Sequence, residues 1–101
     1  MIAVNNGPLF DPGRLVATPG AIEALEAADQ NALEFVSRHL RGDWGTVDDE
    51  DKSLNDQSVS DGSRILSAYV LKTGVKIWII TEGTDDHGRR AATTALLPDE
   101  Y

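Results

Sequence analysis

Arg64-Ile65-Leu66-Ser67-Ala68-Tyr69-Val70-Leu71, then Lys72-Thr73-Gly74, then Val75-Lys76-Ile77-Trp78-Ile79-Ile80-Thr81-Glu82 is the stretch whose reading decides the fold. Both long runs are rich in β-branched and aromatic residues and read as strands. The turn between them carries a glycine, so the pair reads as an antiparallel hairpin. Downstream, Gly83-Thr84-Asp85-Asp86-His87-Gly88 is a polar tip, Arg89 to Leu97 reads as a third strand, and Pro98 ends it.

Upstream of Gly62 the period is helical. Thr18-Pro19 is a start signal, because threonine caps the first free amides and proline at the first helical position loses nothing. Ala21, Ile22, Leu25 and Ala28 then recur at helical spacing. Asn31 followed by Glu34 is a capping-box pattern that starts a second helix over about 32–41. Its expected buried stripe is Leu33, Val36 and Leu40, joined by Phe35. Arg38 and Arg41 sit in its last turn, where the helix dipole favours cations, and Gly42 supplies the stop. A third helix over about 48–60, closed by Gly62, carries few apolar residues: Val47, Leu54 and Val59.

The fold class expected is α+β, with two to three N-terminal helices packed on a C-terminal three-stranded antiparallel meander. One domain spans 1–101: an irregular arm over 1–14, an acidic helical part over 18–62 and the sheet over 64–97. Leu15-Val16-Ala17 reads either as a short extended entry or as a short edge strand, since proline is tolerated beside an edge.

The chain has 101 residues and a net charge of -8, with no cysteine. Disulfide scaffolds, thiolate zinc sites and cysteine nucleophiles are thereby excluded. No apolar run approaches the ~20 residues of a spanning helix. The opening Met1-Ile2-Ala3-Val4-Asn5-Asn6 has neither the basic start nor the long apolar stretch of a signal peptide, so the expectation is a cytoplasmic protein. Charge is unevenly placed. Residues 18–62 hold eleven acids against three bases, while the remainder is balanced.

The acidic helix is the first candidate for function. Asp48, Asp49, Glu50, Asp51, Asp56 and Asp61 lie close enough to attract a basic partner and speed its association. They would also repel bare nucleic acid, so no direct DNA binding is expected. The plainer reading is a solvated face that keeps a small protein soluble. Trp44, between Gly42-Asp43 and Gly45, reads either as a core staple or as an anchor for that partner. Calcium binding through Asp48–Asp51 fails on loop order, because Leu54 stands where the loop glycine belongs if Asp49 is the first ligand. No metal or cofactor is implied, and no nucleophile elbow or phosphate loop is present.

Metal-free RNA cleavage needs only a base, an acid and a cation, because RNA supplies its own 2′-hydroxyl nucleophile. His39 is the candidate acid or base. Lys76, with Arg89 or Arg90, would hold phosphate, and Trp78 or Tyr69 would stack a base. On the central strand Lys76, Trp78 and Ile80 point one way, while Val75, Ile77, Ile79 and Thr81 point the other and should face the helices. The plainer reading of His39 is a partly buried histidine at a helix end. A further reading is homodimerisation through a free sheet edge.

The blocks Leu15-Val16-Ala17-Thr18-Pro19-Gly20-Ala21, Ser37-Arg38-His39-Leu40-Arg41-Gly42-Asp43-Trp44-Gly45, Leu66-Ser67-Ala68-Tyr69, Lys76-Ile77-Trp78-Ile79-Ile80-Thr81-Glu82 and Leu96-Leu97-Pro98-Asp99-Glu100-Tyr101 resemble a family of short bacterial proteins, hypothetical or plasmid-related, often encoded on plasmids and other mobile elements. That resemblance implies a genomic setting and no activity. In layout alone, a helix with histidine, an acidic segment and a meander ending in Thr-Thr is similar to the barnase/colicin/RelE-like toxin ribonucleases. Those nucleases are commonly basic, and this chain is not. The leading expectation is a small non-enzymatic module that binds a protein with a basic surface, in that setting an inhibitor of a host nucleic-acid-handling complex. The alternative is the metal-independent ribonuclease.

Overall fold

A computed structural model describes residues 7–101. The segment 1–6, on which part of the expected arm and the signal-peptide reading fall, lies outside the described residues. Three helices cover one face of a four-stranded sheet. In chain order the elements are β1 (Arg14–Ala17), α1 (Pro19–Ala27), α2 (Ala32–Leu40), α3 (Asp49–Asp61), β2 (Ile65–Val70), β3 (Lys76–Thr81) and β4 (Ala92–Leu96), followed by a 3-10 turn over Pro98–Glu100.

The helix ends follow local chemistry. Thr18 accepts from the Ala21 N–H ahead of Pro19, and Asn31 accepts from the Leu33 N–H. Asp48 accepts from the Asp51 N–H, and Asp49, Glu50 and Asp51 place negative charge where the dipole of α3 favours it. Glu34 does not close the expected box. It takes a bond from the Gln30 side chain at 3.0 Å instead.

The sheet has four strands where three were expected. Its order is β1-β4-β3-β2, so the antiparallel meander β2-β3-β4 is extended by a strand at the β4 edge. β1 runs parallel to β4, with Leu15 beside Thr93 and Ala17 beside Ala95. Of the two readings of Leu15-Val16-Ala17, the structure has the edge strand. A parallel partner lies far along the chain and leaves no local signature, since only a crossover links the two. β4 is also shorter than expected. Arg89 and Arg90 stay outside it, held by a single bridge from Arg90 to Thr84.

The opposite edge is covered. The Ala68 N–H donates to the Trp44 carbonyl and the Ala68 carbonyl accepts from the Thr46 N–H. Gly45, at φ 74°, makes that approach possible; a Cβ there would sit 1.8 Å from the Ala68 oxygen. One residue pair further along β2, the Asn55 carboxamide takes the place of a neighbouring strand. It donates to the Leu66 carbonyl at 2.8 Å and accepts from the Leu66 N–H at 3.2 Å.

Two apolar clusters form the core. The larger joins Ala21, Leu25, Phe35 and Val36 to Tyr69, Ile77, Ile79 and Ala95. Phe10, Trp44 and Ile65 form the smaller, with Val47 and Val59 against it. The buried stripe of α2 is Phe35, Val36 and His39, and Leu33 is 59% exposed. Phe35 and Val36 are buried as expected, and Leu40 is partly buried against both clusters. The imidazole, not Leu33, fills the inward position.

Candidate functional site

Three places carry the chemistry-bearing residues: the acidic surface of α3, a buried polar line through His39, and the sheet face turned away from the helices. On α3, Asp49, Glu50, Asp51, Asp56 and Asp61 are exposed, as is Asp48 at its N-cap. Among the described residues one ion pair is present, Arg38 Nε to Asp43 at 2.7 Å, and it does not involve these six carboxylates. Their field therefore reaches solvent without a paired cation beside it. Asp56 has one internal task, accepting from the Trp44 indole N–H at 3.0 Å. The exposed Asp61 carboxylate accepts from the Ser63 N–H at 2.8 Å, and hydrogen bonds from Ser63 hold its pKa below the usual carboxylate value.

Leu54 is 52% exposed within this acidic surface. It borders a cleft of about 210 Å³ shared with Asp51, Ser58, Arg64 and Leu66. Trp44, by contrast, is buried. Its ring stacks on Phe10 and meets His39 edge-on at 5.7 Å. Of its two readings the structure has the staple, because the indole joins α3, the arm and α2 and presents no face to a partner.

His39 is fully buried under α2, on the helix-facing side of the sheet. Its Nδ1 lies 2.5 Å from Ser67 Oγ and its Nε2 lies 2.8 Å from Thr81 Oγ1. Thr81 Oγ1 is 2.7 Å from Thr93 Oγ1, and the Thr93 hydroxyl donates to the Pro12 carbonyl at 2.7 Å. That last acceptor orders the whole line. A carbonyl only accepts, so the single Thr93 proton goes to Pro12 and Thr81 must donate to Thr93. Thr81 then accepts from Nε2–H, and the unprotonated Nδ1 accepts from Ser67. The ring is neutral with its proton on Nε2. Burial first, and repulsion from Arg90 second, lower its pKa to about 4.

Arg90 is itself committed. Its guanidinium donates to the carbonyls of Ser58, Ser63 and Glu82 and lies over the Phe10 ring. Tyr69 is 1% exposed, and its hydroxyl donates to the Asp43 carbonyl at 2.6 Å. Burial pushes that hydroxyl up to about 12.

Lys76 and Trp78 stand on the other face of β3 from Ile77, Ile79 and Thr81, as strand alternation requires. Tyr101 meets Trp78 edge-on at 5.8 Å, and Arg64 lies over the Tyr101 ring. The sheet thus separates Lys76 from His39, and the residues of the cleavage scheme are not brought to one surface. Arg90 and Tyr69 are turned inward as well, and Arg89 is exposed. The physical reason is the pairing of α2 with the face that carries Ser67, Thr81 and Thr93. Those three hydroxyls, at inward strand positions, were the available signal that a polar side chain lay opposite them.

Among the described residues no three His, Asp or Glu groups converge on a possible metal site, and no helix is long and apolar enough to cross a membrane. No family model, curated protein or solved structure matches the chain.

Proposed function

We propose that the protein is a small acidic binding module whose α3 surface docks a protein with a basic face. The observation that supports this reading is the exposed run Asp49, Glu50, Asp51, Asp56 and Asp61, free of ion pairs, beside the half-exposed Leu54 and its cleft. Long-range attraction would steer the partner, and the leucine would supply apolar contact at the centre of the charged surface. In a cytoplasmic, mobile-element setting the partner class is a host complex that handles nucleic acid through a basic surface, which the module would inhibit. The same field disfavours direct binding to DNA.

The test is capture of basic proteins from a bacterial lysate by wild-type protein and by the triple variant Asp49→Lys, Glu50→Lys, Asp51→Lys, which leaves the Asp48 cap in place. Loss of capture in the variant is expected, together with release of the wild-type partner by salt. Unchanged capture sinks the electrostatic reading. Parallel incubation of wild type and His39→Ala with bacterial RNA in EDTA should leave RNA intact in both; cleavage by wild type alone would replace this proposal with the ribonuclease.

A further inference from the structure

We propose that two copies of this chain pair through β1 across a two-fold axis, Leu15 opposite Ala17 of the other copy, to make one continuous eight-stranded sheet. The reading does not depend on the acidic surface of α3.

Backbone direction is the first ground. The N–H groups of Arg14 and Thr18 donate to the carbonyls of Ala91 and Ala95 on β4. Strand alternation therefore turns Val16 inward to β4 as well, and leaves the N–H and C=O of Leu15 and Ala17 pointing outward. No described residue bonds that outer edge. An antiparallel two-fold with Leu15 opposite Ala17 satisfies all four outward groups of each copy at once. Neighbouring registers fail. A shift one way sets Ala17 against Gly13, which stands at φ 65° outside the strand; a shift the other way sets Leu15 against Pro19, which has no N–H.

Side chains fit the same register. Leu15 and Ala17 lie on the helix-facing side, where Leu15 is 48% exposed. Beside Ala17 lies a depression of about 530 Å³ with Ile22, itself 45% exposed, and Leu25 on its apolar side, and Glu26, Asp29, Gln30 and Asn31 on its polar side. The two-fold brings Leu15 of each copy next to the apolar side of that depression on the other, so Leu15 and Ile22 are covered together. On the opposite face Arg14 comes opposite Thr18. The Thr18 hydroxyl and the Gly20 N–H hold the exposed Glu100 carboxylate, at 2.5 and 3.2 Å, which gives each Arg14 an anionic neighbour in the other copy. A rival edge at β2 is closed by Asn55 and by the 44–46 segment.

Val16 meets its own symmetry mate at the axis, as a non-hydrogen-bonded pair with Cα atoms about 4.5 Å apart. That separation accepts a disulfide. In a chain without cysteine, Val16→Cys is a clean probe. Under mild oxidation Val16→Cys should yield a covalent dimer far faster than Leu33→Cys on α2 or Val70→Cys on β2, both exposed positions. Light scattering should show a dimer for wild type and a monomer for Val16→Lys, which sets two cations against each other at the axis. Cross-linking of Val16→Cys no faster than the two controls overturns the proposal, and so does a wild type that stays monomeric at high concentration.

Discussion

Pro12 and His39 are joined by one hydrogen-bond line, and the Pro12 carbonyl, through Thr93 and Thr81, places an imidazole proton on Nε2. The arm that precedes β1 is thereby tied to the centre of the fold by a chain of hydroxyls rather than by apolar contact alone. A neutral ring suits every member of that line. A second proton on Nδ1 would bury a charge near Arg90 and leave the Ser67 proton without its acceptor.

Acid should therefore weaken the fold through His39. Its folded pKa of about 4 lies below the unfolded value near 6.5, so the unfolded chain binds more protons between those limits. Stability rises with pH through that window and is lost as pH falls from about 6.5 to about 4, by roughly 3 kcal/mol from this group. Urea unfolding at several pH values should show the slope in wild type. His39→Gln should flatten it over the same window.

Asn55 is expected to act as a structural latch. Asn55→Ala removes both bonds to Leu66 and leaves those backbone groups short of partners, a loss of about 1–3 kcal/mol. For a domain of this size each kcal/mol moves Tm by about 4–8 °C. A calorimetric Tm within 2 °C of wild type would show that water replaces the carboxamide without loss.

Gly45→Ala should be worse tolerated than any surface substitution. The added Cβ meets the Ala68 carbonyl oxygen and the position stands at φ 74°, so the 44–46 bridge to β2 must open. The expected loss is at least about 2 kcal/mol, read by chemical denaturation.

Leu54 separates binding from stability. Being half exposed, it can be cut to alanine with Tm within about 4 °C of wild type, a change under about 1 kcal/mol. Leu54→Ala should still weaken capture of the basic partner in the same lysate assay. Unaltered capture would place the docking surface elsewhere on the acidic helices.

The sequence made the α+β class, the hairpin and all three helices legible, because caps, breakers and strand alternation are local. Thr18, Asn31, Asp48 and Gly62 each act within one turn of their own position. What escaped was set by contacts between distant segments. The place of β1 beside β4 spans most of the chain, and the inward turn of His39 shows only once Ser67, Thr81 and Thr93 are known to face α2. Alternation along β3 was readable, and it placed Lys76 and Trp78 together. The face the helices cover, that of Ile77, Ile79 and Thr81, was readable as well; what was not is that His39 rather than Leu33 is the side chain α2 turns toward it. Trp44 was ambiguous because its indole partner, Asp56, sits a helix away.

The pairing of β1 with β4 also bears on how the chain is made. Synthesis delivers the helices between 19 and 61 well before β3 and β4, yet Ile77, Ile79 and Ala95 are the surfaces those helices cover. Until the last strand leaves the ribosome, the nascent helices have no sheet to rest on, and closure must wait for contacts between the two ends of the domain. During that interval residues 18–62 carry eleven acids against three bases, and like charge opposes close approach of two such segments. The acidity of the helical half is thus a repulsive term between incomplete chains at the stage when their apolar faces are still uncovered.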